Sequence, residues 1–310
     1  MKRAILIIGI LVCVNCAGYA EDGLKKHVRV LSAEIGARNL LYYQNLERAA
    51  RYIKNEFRSY GYEPEEQVYT MESRWTEKRP FRNIIAVKEG SGEKDKVIIV
   101  CAHYDTRRRS PGADDDASGV AAVLELARRV YKDDLKKTVK FIAFTNEDLE
   151  PVSEDVDMGS YRYAREARAK GEKIEAAVCL DMIGFYSDVQ GSQHSPVPFN
   201  FFYPDTGNFI GFAADAASYR LLGDVVAEFK KASDIPAEYL VAPAPFVPEI
   251  IASDSRSFWV FGYESVWVTD TCAYRNHYYH TKDDKYDTLD YQKMSKVVDG
   301  LYGVILKLAG

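Results

Sequence analysis

Beyond its first twenty residues the sequence has no apolar run approaching the roughly 20 residues that cross a bilayer, which argues against a membrane span in the mature chain. Cysteine is scarce as well. Of five in 310 residues, only Cys101, Cys179 and Cys272 lie past residue 20, so at most one disulfide can form and a disulfide-built scaffold is excluded. Cys101 and Cys179 sit inside apolar strand-like runs, where a free cysteine behaves as a small hydrophobe. There is no basic face either: the net charge of -5 comes from interspersed acids and bases, which argues against a nucleic-acid partner. Internal repeats and low-complexity tracts are missing. So is the HExxH signature, and the zincin class of metallopeptidases loses its support with it.

What is present suffices for one large core, because 47% of the residues are hydrophobic and nothing suggests a second globular unit. The 22 tyrosines are scattered and read as amphipathic packing residues. Lys2 and Arg3, an apolar stretch from Ala4 to Val14 and the small residues Ala17, Gly18 and Ala20 form the pattern of a secretory signal peptide. Residues 21–310 are then expected to be a single catalytic domain, secreted or periplasmic and without a stable membrane span. Cys16 would offer a lipoprotein anchor, but Asn15 and Cys13 are poor flanks for that cleavage.

Apolar residues at helical spacing predict a helix from Arg38 to Tyr60, stopped by Gly61. Strands are predicted at Glu65–Thr70, Arg82–Val87 and Val97–Ala102, the last a β-branched run typical of burial on both faces. Helix and strand patterns then alternate: helix Ser118–Tyr131, strand Val139–Phe144, helix Ser160–Ala169, strand Ala177–Met182. Strand Phe209–Ala213, helix Ser218–Ala232, strand Ser265–Val268 and helix Leu289–Leu308 follow, with loops at 187–208 and 240–249. This alternation predicts an α/β fold of three layers, helices covering both faces of a mixed, mostly parallel sheet.

In such a fold function gathers beyond the carboxyl ends of the strands, where the conspicuous residues fall. His103 and Asp105 follow one strand, Glu147 and Asp148 the next, and Asp181 ends the third. Asp114, Asp115 and Asp116 lie in the loop entering a helix. Singly, each reads as a helix cap or a solvated turn. Converging carboxylates, however, repel one another and are pushed toward protonation unless a cation is present. Two histidines with three carboxylates suit zinc better than calcium or magnesium, and five ligands exceed one tetrahedral catalytic zinc, so a pair of ions sharing a bridging carboxylate is expected.

The segments HYDTRRRSPGADDDASG (103–119), TNEDLEP (145–151), LDMIGFYSD (180–188) and VTDT…YHTKDD (268–284) resemble, in order and spacing, the secreted di-zinc aminopeptidases and their glutaminyl-cyclase relatives, over roughly residues 36–308. The resemblance implies an eight-stranded mixed sheet and two zinc ions per chain. It gives His103 and Asp181 to one ion, Asp148 and His280 to the other, and Asp115 to both. Glu147 would be the general base that takes the proton of the attacking water and returns it to the leaving amine. Asp105 would accept the second N–H of His103. Tyr279 resembles the family's oxyanion-stabilising tyrosine, the alternative being ordinary packing in a Tyr-rich segment. Substrates would be peptides with a free N-terminus. Two departures stand out: Asp148 replaces a commoner Glu, and in Ser253-Asp254-Ser255 the last residue replaces a family histidine, leaving Asp254 as a supporting residue near the ligands. His277 competes with His280 for the ligand role, the YHT context and Asp284 favouring His280. A one-zinc glutaminyl cyclase and a catalytically inactive binding ectodomain are the competing readings.

Overall fold

The computed structural model describes residues 21–73, 76–148, 155–241 and 253–310; the expected signal segment and most of the 240–249 loop lie outside them. The described residues open with helix α1 (21–29), which continues through a wider turn at Val30–Ile35. Helix α2 (Tyr43–Ser59) buries Leu46, Ala49, Ala50, Ile53 and Phe57, the apolar stripe read from the sequence. It starts five residues later than the periodicity predicts. The side-chain oxygen of Asn39 accepts the backbone N–H groups of Leu41 and Tyr42, and the turn so formed replaces the first helical turn.

Among the described residues eight strands follow: β1 (Glu65–Ser73), β2 (Thr76–Lys88), β3 (Lys96–His103), β4 (Thr138–Phe144), β5 (Lys173–Leu180), β6 (Ile210–Ala214), β7 (Ala237–Val241) and β8 (Ser265–Thr269). They form one sheet in the order β1-β2-β4-β3-β5-β8-β6-β7. The pairs β3–β4, β3–β5, β5–β8 and β6–β7 are parallel, while β1–β2, β2–β4 and β6–β8 are antiparallel, so the sheet is mixed as expected.

The remaining helices are α3 (Gly119–Val130), α4 (Gly159–Lys170), α5 (Tyr219–Ala232), α6 (Ser255–Val260) and α7 (Tyr291–Ala309). Alternate side chains of β3 serve the two faces. Ile98, Val100 and Ala102 join the larger core with α1, α2, α3, α5 and α7, whereas Val97, Ile99 and Cys101 pack with Tyr163 and Ala167 of α4 and Phe258 of α6. The result is the three-layer α/β/α architecture. Its consequence for the site is directional: β3, β4, β5 and β8 run parallel and release their carboxyl ends at one edge.

Candidate metal centre

Every predicted ligand arrives at that edge. His103 is the last residue of β3, Glu147 and Asp148 follow β4, Asp181 follows β5, and His280 stands in the loop after β8. Asp115 lies in the turn Ala113–Ser118 between β3 and α3. One oxygen of Asp115 is 3.3 Å from His103 Nε2 and the other is 3.1 Å from His280 Nε2. Asp181 Oδ1 lies 3.6 Å from His103 Nε2, and Asp148 Oδ1 lies 3.3 Å from His280 Nε2. The exposed His277 instead packs its ring against Phe185 and Tyr278.

The DDD run divides its labour. Asp114 accepts the N–H of Gly184 and the side-chain amide of Asn276. Asp116 accepts the N–H groups of Gly119, Met182 and His103. Both are spent on tying loops together, even though Asp116 lies close enough to His103 and Asp181 to form a metal-sized group with them. Asp115 alone keeps a carboxylate turned toward the two imidazoles. Two glycines allow this packing: a Cβ on Gly119 would lie 2.5 Å from the Asp116 carboxylate, and one on Gly112, whose φ is +61°, would lie 2.3 Å from the Asp115 carbonyl.

Several supporting roles escaped the sequence reading, two of them at residues it had already named, Asp284 and Asp105. Asp284 accepts the N–H groups of Asp114 and Asp115, at 2.8 and 3.2 Å, and so sets the bend that presents the Asp115 side chain. Asp270 accepts from Phe185 and Cys272 and fastens the loops after β5 and β8. Arg38 is completely buried and donates to the carbonyls of Tyr104, Leu31, Gly36, Pro111 and Gly112, joining the N-terminal segment to both sides of the His103–Asp115 loop. Asp105 accepts the N–H groups of Glu147 and Asp148 at 3.1 and 3.0 Å and lies 3.6 Å from His103 Nδ1. Its stronger contacts therefore position the Glu147–Asp148 turn. Asn146, Met182 and His280 adopt positive φ, three non-glycine residues in the left-handed region, each at the rim where the ligands emerge.

Electrostatically the centre is short of positive charge. Burial raises the Asp181 and Glu147 carboxyls, Glu147 well above its usual range, with Asp148 and Asp181 adding to the effect on Glu147. Burial and the charge of Asp115 bring Asp148 to about 6. Burial also raises Asp254, buried at the start of α6, to about 7, assisted by Asp181 and Asp105. Burial opposes charge on the histidines too, but the surrounding carboxylates prevail, raising His280 to about 9 and His103 well above the ordinary value. Besides these imidazoles, the Arg107 guanidinium lies 3.6 Å from Asp148. His103 Nε2, His280 Nε2, Asp115 Oδ2 and Asp148 Oδ2 are all buried without a hydrogen-bond partner. Buried polar atoms that lack partners, converging on opposite-facing oxygens of one carboxylate, are what a metal-binding donor set requires. The residues fit the group.

The sequence profile of peptidase family M28 matches residues 83–305. The chain belongs to this family. Protein YfbL of Escherichia coli strain K12 is 34% identical over 292 residues, covering 91% of this chain and 86% of that protein. The fold is that of the Bacillus subtilis zinc aminopeptidase BSAP, with a TM-score of 0.73 at 15% identity over 93% of this chain and 95% of that one. The Porphyromonas gingivalis glutaminyl cyclase shares it with a TM-score of 0.68 at 20% identity, over 93% and 98%. M28 membership makes the chain a metal-dependent hydrolase acting on peptides, and the histidine–carboxylate donors gathered at this edge suit zinc.

Proposed function

We propose that this chain is an aminopeptidase with two zinc ions, His103 and Asp181 holding one, Asp148 and His280 the other, and Asp115 both. The observation that carries this reading is Asp115, whose two oxygens face different imidazoles while its neighbours Asp114 and Asp116 are consumed by other contacts. Zinc held by these residues would supply Lewis acidity and lower the pKa of a bound water to about 7. Among the described residues no backbone N–H is tied by the Glu147 carboxylate, and its Oε2 stands 3.8 Å from His103 Nε2. It takes the proton of the attacking water and passes it to the leaving amine. Tyr279 stacks on His280 with centroids 3.6 Å apart, and burial raises its phenol, so the hydroxyl stays protonated and donates to the oxyanion. Asp105 holds the Glu147–Asp148 turn through its N–H groups, and the buried Asp254 lies within electrostatic reach of His103 and Asp181. Residues 1–20 direct export, residues 21–310 form the catalytic unit, and the substrates are peptides with a free N-terminus.

The likeness in fold to a glutaminyl cyclase favours a second reading, cyclisation of N-terminal glutamine with one zinc. A panel of free-amine, N-acetylated and N-terminal-glutamine peptides with product identification separates the two. Release of the first residue from free-amine peptides alone is the expected result. Equal turnover of acetylated peptides, or pyroglutamate as the sole product, would overturn the aminopeptidase reading.

A further inference from the structure

A cavity of about 420 Å³ opens beside Asp181 and Tyr279. Its floor is the sheet face turned away from α5 and α7, where the pairing aligns Thr269, Gly211 and Glu238 in one row and Trp267, Ala213 and Leu240 in the next. Phe199 and Tyr203 line it as well. The surroundings are apolar and aromatic, with two carboxylates among the lining residues: Asp181 at the metal end and Glu238 on the edge strand β7. Glu238 is half-buried, and among the described residues it has no lysine or arginine at ion-pair distance.

We propose that this cavity receives the N-terminal side chain of the substrate and that Glu238 selects a cationic head on an apolar stem, lysine or arginine, over an uncharged chain of equal length. The inference rests on the aminopeptidase reading. Glu238 stands two strands from Thr269, about 10 Å across the sheet at the usual strand spacing, a span that suits a long side chain. A four-carbon stem packs against Trp267 and Leu240, aromatic faces attract the cation, and the partly desolvated carboxylate gains its missing counter-charge. Neutral chains of the same length leave that carboxylate unpaired.

The test compares zinc-loaded wild type with Glu238→Gln on coumarin amides of lysine, arginine, norleucine and leucine. In parallel, calorimetry measures binding of free L-lysine and L-norleucine, which reads the cavity without turnover. Wild type should prefer lysine over norleucine by about tenfold in kcat/KM, and Glu238→Gln should remove that preference while changing norleucine by no more than about threefold. Lysine binding should weaken in parallel. Norleucine equal to or better than lysine in wild type, or an unchanged lysine-to-norleucine ratio in the variant, would overturn the proposal. If no amide is hydrolysed yet lysine binds in a Glu238-dependent way, the cavity assignment stands and the aminopeptidase reading falls.

Discussion

Arg38→Met should cost more stability than any single metal-facing substitution. Arg38 makes contacts of 2.6 Å to Tyr104 O, 2.6 Å to Pro111 O and 2.9 Å to Gly112 O, with longer ones to Leu31 and Gly36. Burial lowers its pKa to about 10, but Asp105, Asp284, Asp115 and Asp116 keep it charged at neutral pH. Methionine fills similar space while leaving the three short-contact carbonyls without their donor, at about 1–3 kcal/mol each. Removing a buried cation also relieves its desolvation cost, which brings the expected net loss to about 3–5 kcal/mol. That is a large share of a total stability of about 5–15 kcal/mol. Urea unfolding of chelator-treated protein measures it, and a melting point about 10 °C lower should accompany it. Arg38→Lys should lose nearly as much, because a point charge cannot reach carbonyls spread over three segments. A loss below about 1 kcal/mol for Arg38→Met, or full rescue by lysine, would refute the reasoning.

Glu147→Gln should retain metal and lose about 10²–10⁴-fold in kcat with little change in KM, whereas Asp148→Asn should lose metal as well as rate; elemental analysis showing the opposite pattern would exchange the two roles. Treatment with o-phenanthroline should abolish activity and lower the melting temperature, with zinc restoring both, and an unchanged melting temperature after confirmed metal loss would count against clustered ligands. His27 lies between the hydroxyls of Tyr52 and Tyr60, and burial lowers its pKa to about 4, below the unfolded value of 6.5. The unfolded chain therefore binds a proton that the folded one refuses, and stability falls as pH drops from about 6.5 toward 4, by about 3 kcal/mol. His27→Gln should flatten that part of the stability curve; superimposable curves would show that His27 does not drive it.

Much of this was legible in the sequence because burial and period coincide. The β-branched run of β3, the stripe of α2 and the acids just past each strand carry their positions in their spacing. Strand β7 was not legible, since it is an edge strand whose half-buried Glu238 and exposed Tyr239 interrupt any buried apolar run. Arg38 falls within a helix-like pattern, and nothing local shows that its side chain turns inward to carbonyls more than sixty residues away. The division of labour among Asp114, Asp115 and Asp116 is likewise a property of three dimensions. It depends on N–H groups from Gly184, Met182 and His103 and on Asp284, which bends the loop from 170 residues away.

Sharing of Asp115 between two metal groups would fix the zinc content of the protein. Wild-type protein equilibrated with zinc, freed of excess by gel filtration and subjected to elemental analysis should carry two zinc ions per chain, one for each imidazole facing Asp115. A ratio of one, or none, would contradict the paired centre.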